Sequence, residues 1–425
     1  MIYVIGAGIG GLSFAISFAQ QQRNVRPPGS PIGLVVLEQE ADESFHCSEK
    51  FVQSLSIRSG FGGLEALHQL GVLQAVRRRH SAATGDFVAR STTEGLSMVW
   101  DSAWAGSRPI VSSIDDTSTP VRVSRRDLWR ALYDRTRELG VPIRFGCSVQ
   151  EIDGPGGRIS LVDGSVLSEA ELSVVAAGAW SNVCPTAPLR ALSHVMLGGL
   201  ASVKSVWPDG VRNQHGLLFT DDGDCMMFVS HEAERHISIG IAFPVADPID
   251  RSDKKQLAQV HQRAIALAQT NLPAALAELL VDQCLSLPGG APLLVNCRHR
   301  RDVMQYDPSE RILRLGDAWH AVSPYAGAGA NMALVDGCKL GRVAMAPSDC
   351  AKEAAELTRR WNAVFKREAA VIGFAHSRGR LGLAWRRSLL RVVPLFADPR
   401  KRWPTLVGCG MALLIGAWAC GLLHA

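Results

Sequence analysis

Six residues near the start, Gly6-Ala7-Gly8-Ile9-Gly10-Gly11, follow a short apolar run from Met1 to Ile5 and precede Leu12, Ala15, Ile16 and Ala19 at helical spacing. A strand that breaks into such a turn and then into a helix is suited to holding a pyrophosphate. Gly6, Gly8 and Gly11 supply the tight turn and a bare backbone, and the free N–H groups and dipole of the helix start favour negative charge. A dinucleotide also needs an acid at the tip of the second strand, to accept a hydrogen bond from the adenosine ribose. Leu34-Val35-Val36-Leu37-Glu38 supplies it, delayed by the turn-rich stretch Arg26-Pro27-Pro28-Gly29-Ser30-Pro31.

Far along the chain stands a second glycine-rich stretch with one carboxylate, Gly316-Asp317-Ala318-Trp319-His320-Ala321-Val322-Ser323-Pro324-Tyr325-Ala326-Gly327-Ala328-Gly329-Ala330-Asn331. A strand over Arg311 to Leu315 delivers it to the carboxyl end of a sheet, where ligands of such sheets bind. A helix beginning near Ala330 aims its N–H groups at a reduced flavin, whose negative charge lies near N1. The two motifs together indicate a flavoprotein. His320 is expected to be structural.

These motifs require a frame. Leu64, Leu67 and Leu70 predict an amphipathic helix ended by Gly71, and Leu128, Ala131, Leu132 and Leu139 a second one closed by Gly140. Strands at Ile143 to Phe145, Val149 to Ile152, Ile159 to Val162 and Leu172 to Ala176 are expected to return the chain to the nucleotide-binding sheet. Leu217 to Thr220, Cys225 to Val229 and His236 to Phe243 predict an antiparallel sheet, and Asp253 to Leu280 one helix. The expected fold class is therefore α/β: a Rossmann-like dinucleotide-binding domain, an antiparallel-sheet substrate domain and C-terminal helices. The expected boundaries are 1–190 and 298–375 for the first domain, 191–297 for the second, 376–403 for a basic amphipathic linker and 404–425 for a membrane anchor.

At 425 residues the chain exceeds what one core usually organises, and its net charge of +5 is not gathered into a nucleic-acid surface. Arg77-Arg78-Arg79-His80 and Arg298-His299-Arg300-Arg301 read as solvated faces. The ten cysteines show no CxxC pair and no metal-ligand spacing, so neither a structural disulfide nor a metal is expected. Leu406 to Leu423 carries no charge and follows Arg400-Lys401-Arg402-Trp403, the pattern of a single-pass C-terminal anchor with the catalytic domain on the cytosolic side. A buried C-terminal helix is the competing reading. The basic stretch Arg386 to Phe396 fits either an anionic surface or an ordinary packed helix.

From residue 1 to about 375 the chain resembles the class A flavoprotein monooxygenases of the para-hydroxybenzoate hydroxylase type. Leu55-Ser56-Ile57-Arg58-Ser59-Gly60-Phe61-Gly62 and Phe228-Val229-Ser230-His231 look most like the branch of tetracycline-modifying enzymes and polyketide or terpenoid tailoring hydroxylases. The resemblance implies FAD, held at its ADP half by Gly6, Gly8, Gly11 and Glu38 and contacted by Arg125. Asp317 matches the acid on the ribityl chain, and Pro324, Gly327, Gly329, Ala330 and Asn331 match the loop around the flavin ring. It further implies NAD(P)H as reductant and O2 as oxygen donor. One motif departs: the family shows an Asp-Gly with an Arg a few positions on, where this chain has Ala177-Gly178-Ala179-Trp180-Ser181-Asn182-Val183-Cys184.

In such an enzyme FAD carries the chemistry, and the protein supplies position and a dry pocket. Leu217, Phe219, Met226, Phe228, Ile239 and Ile241 are the expected pocket wall, although alternate strand residues must face elsewhere. No catalytic side chain can be named; His215, His231 and His236 are candidates for a base. The expected partner is a lipophilic small molecule, a terpenoid or polyketide intermediate of secondary metabolism. The rivals are a flavin-dependent halogenase, a prenyl-chain reductase and a non-catalytic flavoprotein scaffold. Against the first, Trp100 and Trp104 lack the Trp-x-Trp spacing; against the second, the aromatic, proline-containing substrate motif is missing. The oligomeric state is not legible.

Overall fold

The computed structural model describes residues 1–25, 27, 30–47, 54–79, 87–91, 97–100, 120–167, 170–180, 183, 187–203, 215–220, 222–231, 236–285, 293–301 and 305–378. The chain divides into two compact units. Residues 1–80, 111–190 and 298–364 form the first, and 81–110, 191–297 and 365–425 the second. The C-terminal stretch expected to be an anchor lies outside the described residues. Among those described, no helix is long and apolar enough to cross a membrane.

Along the chain, β1 (Ile2–Ile5) leads through the glycine turn into α1 (Ile9–Val25), followed by β2 (Leu34–Leu37) and β3 (Ser54–Ile57). Next come α2 (Gly63–Gln69), α3 (Leu73–Arg79), β4 (Phe87–Ser91), β5 (Ser97–Trp100), β6 (Val121–Ser124) and α4 (Arg125–Glu138). Short strands follow: β7 (Ile143–Arg144), β8 (Val149–Asp153), β9 (Arg158–Leu161), β10 (Val166–Leu167) and β11 (Leu172–Val175). The second unit holds β12 (Arg190–Ser202, from its second residue), β13 (His215–Phe219), β14 (Met226–His231), β15 (His236–Pro244), α5 (Lys254–Asn271) and α6 (Ala274–Leu280). The chain closes with β16 (Leu293–His299), β17 (Tyr306–Asp307), β18 (Ile312–Arg314), α7 (Gly329–Val343) and α8 (Pro347–His376).

The first unit is built on a six-stranded sheet ordered β17-β18-β11-β1-β2-β7, parallel except at the β17–β18 pair. Its central strands β1 and β2 read as unbroken apolar runs because both faces are covered. Ile2, Val4, Leu34, Val36 and Val174 pack into the core that includes α1, α4 and α7, while Ile5, Val35, Leu37 and Val175 pack against Ile159 and Leu161. The latter belong to a separate three-stranded sheet, β10-β9-β8, so the strands expected to rejoin the main sheet at Val149 and Ile159 instead stack upon it. Parallel order places the glycine turn, Glu38, Ala176-Ala177 and Gly316-Asp317 at one edge, beyond the carboxyl ends of β1, β2, β11 and β18.

The second unit is a seven-stranded sheet ordered β16-β12-β15-β14-β13-β4-β5. It is mixed rather than purely antiparallel, because β4 runs parallel to β13. The helix expected over Asp253 to Leu280 is two helices. Asp253 caps α5 by accepting from Lys255 and Gln256 N–H, but Pro273 forces Leu272 into an extended conformation and restarts the chain as α6. Ile237, Ile239, Ile241 and Phe243 pack with Val260, Ala264 and Leu280 of these helices. Ile239 and Ile241 therefore do not share a face with Leu217, Phe219, Met226 and Phe228, so the six do not form one wall. Phe228 is in register with Gly240, whose added Cβ would lie 2.3 Å from the phenyl ring.

Candidate cofactor site

The glycine turn is shaped by three different constraints. Gly6 has φ +103° and sits so close to the β11 end that an added Cβ would lie 2.7 Å from the Ala176 carbonyl oxygen. At Gly11 an added Cβ would be 2.0 Å from the Gly6 oxygen. At Gly8 nothing in the protein comes nearer than 3.9 Å. Gly6 and Gly11 are thus required by the fold itself, whereas Gly8 keeps a surface bare that no protein atom occupies, as a phosphate-binding backbone must.

Glu38 is buried beside this turn. Its carboxylate accepts from Ala7 N–H at 2.7 Å and Glu40 N–H at 3.2 Å, and His46 Nε2 lies 3.6 Å away. Burial works to raise its pKa, but the nearby His46 and the bonds from Ala7 and Glu40 outweigh it and hold the carboxyl below its ordinary range. The imidazole of His46 stacks on Trp129 at 4.6 Å, and Trp129 stacks on Tyr133 at 4.7 Å. Trp129 also donates its indole N–H to the Ala7 carbonyl at 2.7 Å, so α4 buttresses the turn from behind. Neither His46 nor Trp129 is distinguished in the sequence by any motif.

The second motif is brought to the first by a close helix crossing. Cβ atoms on Gly337 and Gly341 would lie 2.6 Å from the Gly10 oxygen and 2.7 Å from the Phe14 oxygen, so α7 meets α1 backbone to backbone. Ser17 Oγ donates to the Cys338 carbonyl at 2.6 Å across the same seam. At its head, Gly10 faces Ala333 and Leu315, each 3.7 Å from where a Cβ would sit. Both helices therefore start at the same sheet edge. Neither has an acidic residue in its first turn, and α7 has no side-chain cap, leaving two helix N-termini to favour an anion.

Asp317 follows Gly316, which takes φ +53°. That turn is fixed by Asp336, a fully buried carboxylate on α7 that accepts from Gly316 N–H at 3.0 Å, His320 Nε2 at 2.6 Å and Trp361 Nε1 at 2.8 Å. His320 is thereby committed to Asp336 rather than to the crevice. Asp317 itself is open to solvent along one side yet ringed by protein. This enclosure raises its pKa, against the charges of His320, Arg125 and Arg300 and with that of Asp336. The charge of Arg125, exposed at the start of α4, bears on the same carboxyl.

Around the loop, Pro324 begins a single 3-10 turn and Gly327 ends it at φ +58° with nothing within 4 Å of an added Cβ. A Cβ on Gly329 would approach Asp317 Oδ1 at 3.9 Å, which joins the carboxylate to the helix start, and Ala330 is half-exposed beside it. The side chain of Asn331 is buried and spent on the backbone, accepting from Arg58 N–H and donating to the Ser56 carbonyl, both at 2.9 Å, so it pins the segment after β3. The run at 298–301 is a correction. Arg300 is buried, reaching Ala179, Asp317 and Ala318 carbonyls, and Arg298 lies 4.8 Å over the ring of Trp180. The candidate bases cannot be placed equally: the side chains of His215 and His231 lie outside the described residues, and His236 is half-buried at the start of β15.

A parallel sheet with a bare glycine turn, a ribose-height carboxylate and a second helix start beside a carboxyl-bearing turn is the frame of a flavin-dinucleotide protein. Residues 1–354 match the family model described as FAD binding domain, and the chain belongs to this family, with FAD as its cofactor. Monooxygenase cfoF of Aspergillus candidus is 26% identical over 358 residues, spanning 80% of this chain and 81% of that protein. Among solved structures, Klebsiella pneumoniae HpxO with FAD and uric acid aligns with a TM-score of 0.69 at 21% identity, over 94% of this chain and 96% of that one. Pseudomonas aeruginosa PqsL with 2-aminobenzoylacetate gives 0.67 at 18% identity, over 91% and 99%. The tetracycline destructase Tet(51) gives 0.60 at 14% identity, over 94% and 97%. The fold is that of class A flavin monooxygenases, and the protein is an FAD-dependent monooxygenase.

Proposed function

We propose that this enzyme uses NAD(P)H and O2 to hydroxylate or epoxidise a lipophilic small molecule, of the polyketide or terpenoid kind, in secondary metabolism. The observation that carries the reading is the α1–α7 seam, which sets two helix starts and two carboxylates, Glu38 and Asp317, along one sheet edge. When bound, FAD supplies the redox chemistry, accepting electrons from the nicotinamide and activating oxygen. The residues then have separate tasks. Gly6, Gly8 and Gly11 admit the pyrophosphate, Glu38 accepts from the ribose, and Arg125 offsets phosphate charge. Asp317 accepts from the ribityl hydroxyls, and Pro324, Gly327, Gly329 and Ala330 form the wall at the ring, with helix N–H groups opposite developing negative charge. Within the second unit, Leu217, Phe219, Met226 and Phe228 share one face of the sheet.

The test is NAD(P)H oxidation measured together with oxygen uptake. The proposal expects both, coupled to an oxygenated product from a lipophilic substrate. Halogenation would instead need chloride and separately reduced flavin, a reductase would turn over without oxygen, and a scaffold would show neither. For the C-terminal stretch we propose a single-pass anchor with the catalytic part cytosolic, resting on the uncharged run from Leu406 to Leu423. Full-length protein should pellet with membranes and a chain truncated before Pro404 should not; equal solubility would remove the anchor.

A further inference from the structure

The arginine run at 298–301 contains one guanidinium that the fold does not treat as surface. Arg300 is 8% exposed. Its Nη1 donates to the carbonyls of Asp317 and Ala318, each at 3.2 Å, and its Nη2 to the carbonyl of Ala179 at 2.9 Å. Its backbone N–H is held by the Ala321 carbonyl at 2.8 Å. The fork therefore spans two turns at the same sheet edge, the one that presents Asp317 after β18 and the one at 177–179 after β11. Among the described residues no carboxylate comes within ion-pair distance of it, so carbonyl dipoles alone meet its charge directly. A buried cation in that state is costly and is retained where the charge has a use.

We propose that Arg300 is the positioning residue of the cofactor-side turn, fixing where Asp317 sits and supplying the positive charge that its carboxylate works against. This rests on Asp317 being a cofactor ligand. Two properties of arginine are needed separately. The planar fork reaches three oxygens in two directions, which an ammonium on a flexible stem does not reproduce. The charge favours the ionised carboxylate, which accepts a stronger hydrogen bond from a hydroxyl than a neutral carboxyl does. Enclosure by the protein pushes the pKa of the Asp317 carboxyl upward, the charges of His320, Arg125 and Arg300 oppose that push, and the charge of Asp336 adds to it. Arg300 is the one cation of this set that also bonds the Asp317 main chain.

The experiment is FAD binding to flavin-free protein as a function of pH, followed by quenching of flavin fluorescence, for wild type, Arg300→Lys, Arg300→Gln and Asp317→Asn. Asp317→Asn should remove the acid limb of the profile; if it binds FAD as wild type does at every pH, the ligand role of Asp317 itself fails. Given that control, Arg300→Gln should move the acid limb to higher pH by about one unit. Arg300→Lys should leave the limb in place while weakening binding about tenfold at all pH values. An unmoved limb in Arg300→Gln, or equal movement in both variants, overturns the charge assignment. Should Arg300→Gln fail to fold, Arg300→Lys decides: wild-type affinity overturns the proposal, and uniform weakening with an unmoved limb supports it. If neither variant folds, Arg300 is a structural staple only and the proposal is overturned.

Discussion

Gly8→Ala separates what the fold needs from what the cofactor needs. At Gly8 an added methyl meets no atom nearer than the Ala176 oxygen at 3.9 Å, an ordinary contact, and the residue does not take positive φ. The flavin-free variant should therefore fold normally, and restricting the unfolded chain should stabilise it by roughly 0.4–1 kcal/mol. The same methyl projects where the pyrophosphate must approach, and overpacking of that kind costs about 1–3 kcal/mol. That corresponds to a loss of FAD affinity of roughly five- to 150-fold. Gly11→Ala is the contrast, because its Cβ would stand 2.0 Å from the Gly6 oxygen and the turn itself must move. Thermal melts of flavin-free protein and FAD titrations should show Gly8→Ala intact but weakly binding, and Gly11→Ala impaired in both. Wild-type FAD affinity in Gly8→Ala, or a melting temperature lowered as far as in Gly11→Ala, would refute the reasoning.

Asp317→Asn should raise the melting temperature of the flavin-free protein at neutral pH while weakening FAD binding. Its folded pKa lies above 3.8, so ionisation opposes folding as pH climbs from there, and the advantage of the variant should vanish toward that pH. Glu38→Gln should behave oppositely. The wild-type carboxyl is held below its unfolded value of 4.5, so it contributes stability above that pH, and the gap between wild type and variant should close as pH falls through its folded value. Asp336→Asn puts an amide where three donors converge, and urea unfolding should show a loss of about 1–3 kcal/mol together with weaker FAD retention. An Asp336→Asn protein as stable as wild type would show that the Gly316 turn does not depend on it.

The first βαβ unit was legible because each local signal agreed: an apolar run, three glycines in register and an acid at the next strand tip. The loop around Asp317 was legible for the same reason. What brings them together was also written in the sequence, as Gly337 and Gly341 one helical turn apart, but small residues at that spacing acquire meaning only once a partner helix lies against them. Asp336 and Arg300 were invisible for a different reason. A lone acid inside an amphipathic helix and an arginine within a basic run look solvated, and their burial depends on partners such as Trp361 and Ala179 that are distant in sequence. The long strand Arg190–Ser202 has no counterpart in the sequence reading; Gly198 within it lies opposite Gly240 in register. Side-chain alternation explains why the six residues expected to form one wall do not: with Ile239 and Ile241 committed to the helices, their neighbours in the strand face the other way.

The most direct measurement of the central claim is the visible absorbance of the purified protein before and after denaturation. One FAD held between the 6–11 turn and the 316–331 loop predicts flavin bands in the wild type, release of FAD rather than FMN or riboflavin on unfolding, and a folded but colourless Asp317→Ala variant. A wild type that stays colourless when FAD is supplied, or an Asp317→Ala protein as yellow as its parent, would contradict it.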